Sequence, residues 1–168
     1  PHFTDGVWFI ELAPLADSAL ILQSVASVLG VRSQIGMPLM TIVTDYLRAK
    51  NLLLILDNCE HLVEASAALA DEFLHNAPDI KMIASSREAL GISGETVYRV
   101  PSLSLPSARA AVPGGASKIV GYESVQLFVE RASAANPKFH LTDENASYVA
   151  QICSRLDGIP LAIELSAS

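Results

Sequence analysis

Basic residues are scarce in this sequence. Its 168 residues hold 11 Lys and Arg against 18 Asp and Glu, a formal net charge of −7. Affinity for phosphate backbones comes from clustered Lys and Arg, so no direct nucleic-acid contact is expected of this segment. Aromatic residues are scarcer still, at 6%, so a core has to be built from Leu, Ile, Val and Ala. With 51% hydrophobic residues there are enough of these to make disorder a poor description. Cysteine occurs only as Cys59 and Cys153, widely separated and each in an apolar pattern. Buried free thiols in a reducing compartment are expected there, rather than a disulfide. No apolar run approaches the roughly 20 residues that span a bilayer. The longest, Leu52–Leu56, is of strand length, and no contact with a membrane is expected. Pro1-His2-Phe3 shows no signal-peptide pattern, and both ends look cut from a longer, cytoplasmic chain.

What is present is a succession of strand and helix patterns. Val7–Ile10 with Leu12 reads as a strand, and Asp17 or Ser18 can cap the helix after it, which Gly30 stops. Gly36 and Pro38 open a second helix through Leu47. Leu52–Leu56 is continuously apolar, the mark of a central parallel strand buried on both faces. A helix over 61–76, a strand over 80–84 and a short strand over 96–100 complete this half. The expected class is α/β, a doubly wound parallel sheet over residues 1–101. Residues 102–118, rich in Pro, Gly and small side chains, read as a linker. Residues 119–168 read as a small helical subdomain. Thr142 is its expected N-cap before Val149, Gly158 a helix stop, and Pro160 the first turn of the last helix.

Few residues could carry chemistry. Asp57 follows the aliphatic strand directly, the Walker B arrangement, which holds a carboxylate rigidly where it can orient Mg2+ through water beside a triphosphate. A solvated aspartate opening a turn explains the same residue about as well. Arg87 follows the next strand in Ala84-Ser85-Ser86-Arg87, where a guanidinium could reach a terminal phosphate and either serine could add a hydroxyl. The plainer reading pairs Arg87 with Glu88 or Glu95. Cys59, Glu60 and His61 are consecutive, so their side chains diverge and form neither triad nor chelate. His61 is expected to cap a turn. Glu60 reads as a first-turn acid, within possible reach of the magnesium. No Gly-Lys-Ser/Thr phosphate loop occurs; Gly114-Gly115-Ala116-Ser117-Lys118 only imitates one. No nucleophile elbow, HExxH or zinc spacing is found.

Four blocks in order carry a resemblance: 53–61 from Leu53 to His61, 84–91 from Ala84 to Gly91, 98–103 from Tyr98 to Leu103, and 156–165 from Leu156 to Leu165. Together they resemble the NB-ARC-like ATPase segment of bacterial STAND regulators, many of them LuxR-type or related transcriptional activators. The opening strand is similar to the one that follows the phosphate-loop helix there. The resemblance implies a P-loop NTPase core truncated at its N-terminal side, with a helical lid. It implies Asp57 as the Walker B acid near Mg2+, Arg87 as the sensor of the γ-phosphate, and Pro160 as an adenine contact. Ser86 and Asn58 would border the nucleotide. It also implies an ADP-held, ATP-opened switch, coupled to other domains of the parent chain and able to self-associate in the ATP state. Two departures qualify this. The phosphate loop is absent, so the segment alone should bind nucleotide weakly or not at all and be inactive. Asn58 stands where an acid often polarises water, so the parent should be a slow ATPase at most. A nucleotide-free scaffold on a degenerate NTPase fold is the competing expectation.

Overall fold

A computed structural model describes residues 2–106 and 115–168. Pro1, Pro113 and Gly114, and with Gly114 the start of the phosphate-loop imitation, lie outside the described residues. The chain divides into two compact units, Pro1–Val97 and Tyr98–Ser168.

The first unit is α/β. Strand β1 (Val7–Glu11) is followed by helices α1 (Ile21–Val28) and α2 (Leu39–Leu47), then β2 (Leu53–Asp57), α3 (Val63–Asn76) and β3 (Lys81–Ala84). Asp17 caps a short 3-10 turn ahead of α1, its carboxylate accepting from the Ala19 N–H at 2.9 Å. Gly30, at φ 70°, turns the chain out of α1. The three strands are parallel in the order β1-β2-β3. Register aligns Phe9, Ile55 and Ile83 on one face, and Ile10, Leu56 and Ala84 on the other.

These two faces differ. Ile10, Leu12, Leu52, Leu54 and Leu56 are buried in one cluster with Val25, Val43, Leu47, Leu69 and Phe73 of the three helices. On the opposite face Val7, Phe9 and Ile83 are exposed, and Leu53 and Ile55 half-buried. The expectation of a strand buried on both faces is therefore corrected: the described helices of this unit pack on one face only. The expected strand over 96–100 is also absent. Its β-branched residues favour extended backbone, but strand formation needs a ladder partner, and Val97, Tyr98 and Val100 are exposed without one.

The second unit is helical: α4 (Ala116–Ile119), α5 (Glu123–Ala135), α6 (Ala146–Arg155) and α7 (Pro160–Ala167). Val125, Phe128, Val149, Cys153 and Ile163 form its core, with Phe128 and Phe139 edge to face at 6.1 Å. Helix α6 starts later than Thr142 suggested. Asn145 is its N-cap residue, and Thr142 and Asn145 exchange backbone-to-side-chain hydrogen bonds across the turn before it.

The described parts of the segment read as a linker belong to this unit. Leu103 N–H donates to the Gly158 carbonyl at 3.0 Å, and Leu103 and Leu105 pack on the helical core. Ser104 N–H donates to the Glu123 carboxylate, and Glu123 N–H to the Ser104 hydroxyl, each at 3.0 Å. Residues 103–105 thus form a strap, held by the backbone bonds of Leu103 and Ser104 and by the packing of Leu103 and Leu105.

Candidate functional site at the strand ends

The carboxyl ends of β2 and β3 bring a set of polar groups together. Asp57 is the last residue of β2, and Ser85 directly follows β3. The Ser85 hydroxyl donates to the Asp57 carboxylate at 2.5 Å and accepts the Asn58 N–H at 2.9 Å. Backbone bonds from Ser85 N–H to Leu56 and from Cys59 N–H to the Ser85 carbonyl, both 2.9 Å, complete the stitch. Asn58 is left-handed at φ 68°, a conformation that Asn tolerates better than most residues. It swings the chain off the strand into a 3-10 turn over Cys59–His61.

That turn is fixed from several sides. The His61 Nε2 lies 2.9 Å from the Leu15 carbonyl, which can only accept, so Nε2 carries the proton. Nδ1 is then left to accept from the Asn58 amide at 3.4 Å. Cys59 is fully buried beneath, and burial pushes its thiol up from the ordinary range. Cys59 and Cys153 are both free and buried. Glu60, its side chain only 24% exposed, pairs with Arg87 Nε at 3.3 Å, while the Arg87 side chain is 88% exposed.

Of the residues singled out from sequence, Asp57, Asn58 and Arg87 therefore stand on one stitched pair of strand ends. The hydroxyl bound to Asp57 belongs to Ser85; that of Ser86 accepts from the Glu88 N–H at 3.4 Å and closes a local turn. The register signals this, because Ser85 extends β3 opposite Asp57 just as Ala84 lies opposite Leu56. Arg87 does not pair with Glu88 or Glu95. Glu95 instead accepts from the N–H groups of Leu90 and Gly91 at 3.0 and 2.7 Å. The actual partner of Arg87 is Glu60, 27 residues away, and no local pattern could announce it.

Pro160 lies in the other unit, exposed at the first position of α7. It follows a turn in which Asp157 and Gly158 are both left-handed, at φ 51° and 67°. A Cβ on Gly158 would collide with the Leu103 carbonyl, so the strap requires glycine there.

Among the described residues no three His, Cys, Asp or Glu side chains converge as a metal centre. No helix is long and apolar enough to cross a membrane. An open depression of about 620 Å³ lies beside His61, between Asp17 and Glu64, and does not include Asp57 or Arg87.

No family model matches the chain. It is 39% identical over 164 residues, 98% of its length, to a "Putative HTH-type transcriptional regulator" of Mycobacterium tuberculosis and to one of Mycobacterium bovis. It is 36% identical over 167 residues to an uncharacterized protein of Mycobacterium tuberculosis. The chain spans only 17% of the length of the named regulators and 39% of the uncharacterized protein.

Proposed function

We infer that this chain is the distal half of a nucleotide-responsive switch in a transcription regulator: part of an NB-ARC-like, doubly wound P-loop core and the start of its helical lid. The carrying observation is the strand-end cluster. Ligands of open parallel sheets bind outside the carboxyl ends of the strands, and Asp57, Asn58, Ser85 and Arg87 occupy two such ends. The names of the relatives support the regulatory setting.

In this reading Asp57 orients Mg2+ through its water shell. A single strand-end carboxylate suits an ion that takes one or two protein carboxylates and fills its other positions with water and phosphate oxygens. Bound magnesium would offset charge on the phosphates of ATP or ADP. Arg87 senses the terminal phosphate, with Ser86 and Asn58 bordering it. Pro160, flanked by Ile159 and Leu161 at 50% and 65% exposure, offers an apolar surface for an adenine ring. Asn58 cannot accept a proton, so turnover is slow at most. The open sheet face, and the outer edge of β3, unpaired among the described residues, leave room for a strand–loop–helix unit bearing the phosphate loop. The domain plan is a core ending at Val97 and a helical lid that begins at Tyr98. Partners are the other domains of a parent chain and, in the ATP state, further copies. The setting is the cytoplasm.

The test is calorimetric titration of ADP and Mg-ATP into this chain and into a version extended upstream by about 60 residues, one strand–loop–helix unit with margin. Binding by the extended chain alone is the expected result. Binding by neither would leave Asp57, Arg87 and Pro160 without a ligand. It would favour the second reading, a nucleotide-free scaffold, which is supported by Asp57 and Arg87 already having partners in Ser85 and Glu60.

A further inference from the structure

We propose that Glu60 is a positioning residue for Arg87, holding its guanidinium in the resting state and surrendering it to the terminal phosphate of a nucleoside triphosphate. The inference rests on the nucleotide reading above and deepens it by naming what Arg87 leaves behind.

The geometry is that of a fixed acid and a loose base. Glu60 sits on a turn pinned by Cys59 N–H to the Ser85 carbonyl, by Leu62 N–H to the Cys59 carbonyl, and by His61 to Leu15. Its side chain is mostly covered, whereas that of Arg87 is 88% exposed although the two are paired at 3.3 Å. The guanidinium can therefore swing away without disturbing packing, and the carboxylate cannot follow it. The pair is also weak enough to exchange. An ion pair this exposed contributes little. A terminal phosphate presents more negative charge and three acceptor oxygens, and can take two guanidinium donors at once. The diphosphate ends one phosphate short and places no γ-phosphate within reach of the guanidinium, so Arg87 stays with Glu60. The pair thus sets a threshold that only the triphosphate overcomes, beside the Asp57–Ser85 stitch that is itself unmoved.

The test uses the upstream-extended chain and its affinities for Mg-ATP and ADP. In Glu60→Gln the competing charge is removed while the shape is kept. ATP affinity is expected to rise about two- to five-fold, the scale of an exposed pair, with ADP affinity unchanged. In an Arg87→Ala background the same change should bring no gain. Glu60→Asp, which keeps the charge, should fall nearer the unsubstituted chain. A purely structural role would move both affinities together and leave their ratio alone. An unchanged ratio in Glu60→Gln, or a gain that persists without Arg87, would overturn this inference while leaving the nucleotide reading in place. No nucleotide binding by the unsubstituted extended chain would overturn both.

Discussion

The two units present their candidate residues in opposite ways. In the α/β unit, Asp57 and Arg87 stand on strand ends above a core in which Leu52, Leu54 and Leu56 are wholly buried. Their partners Ser85 and Glu60 reach them through side chains alone. In the helical unit, Pro160 follows a turn that the Leu103 backbone fills from outside, so its placement is steric. The Arg87–Glu60 pair can exchange partners without repacking; the turn before Pro160 cannot move without breaking the strap. The switch proposed above would need both kinds of part: contacts cheap to exchange and a rigid element to carry the change.

The largest effect should come from the core that makes the first arrangement rigid. Leu54→Ala removes a fully buried side chain from the closed face of the sheet. It should lower unfolding free energy by about 2–5 kcal/mol in denaturant titration. Phe9→Thr, on the open face and 55% exposed, retains strand propensity and should change it by about 0.5 kcal/mol or less. Equal losses would mean that the two faces of the sheet are equally packed.

Next in size is the steric lock. Gly158→Ala meets two penalties, a left-handed backbone at φ 67° and the Leu103 carbonyl in the path of the new Cβ. Gly30 has nearly the same backbone, φ 70°, with nothing within 4 Å of a Cβ. Gly30→Ala should therefore cost only the conformational part, about 1–2 kcal/mol. The excess in Gly158→Ala measures the strap. Hydrogen exchange at the Leu103 amide should accelerate in that variant and not in Gly30→Ala.

The contrast between the units also marks what a sequence can disclose. Ends of elements were legible because their signals are local: Asp17 before α1, Gly30 after it, Gly158 before α7. The aliphatic run of β2 likewise placed Asp57 at a strand end, and Ile80–Ala84 did the same for Arg87. The periodicity of that run misled on burial, since an apolar residue such as Ile55 reads alike whether a helix covers it or not. Thr96–Val100 misled for a related reason: propensity is a property of the segment, whereas a strand is a property of a pair. Pairings far apart in sequence were invisible to spacing. Ser85 could have been found from strand register, but Glu60 beside Arg87 and Leu103 against Gly158 required the fold.

The smallest effect concerns acid stability, where among the described residues each unit has one carboxylate held below its ordinary range. In the α/β unit it is Asp5, lowered first by the Asn51 backbone N–H at 2.9 Å and then by Lys50. In the helical unit it is Glu123, lowered first by the Ser104 backbone N–H and then by the Ser104 side chain. A carboxylate that is more acidic in the folded state contributes stability above its unfolded pKa. That contribution is lost as pH falls through the folded value. Both units should therefore weaken on acidification below the usual carboxylate range and be indifferent to pH near neutrality on this account. Asp5→Asn should flatten the acid limb reported by Trp8 fluorescence, since the indole N–H donates to the Asp5 carbonyl at 3.0 Å. Glu123→Gln should flatten it for amide exchange at Ser104 and leave the Trp8 signal unchanged. If either variant flattened both signals, the units would not respond to acid separately, and the contrast between an exchangeable half and a locked half would have to be redrawn as one cooperative structure.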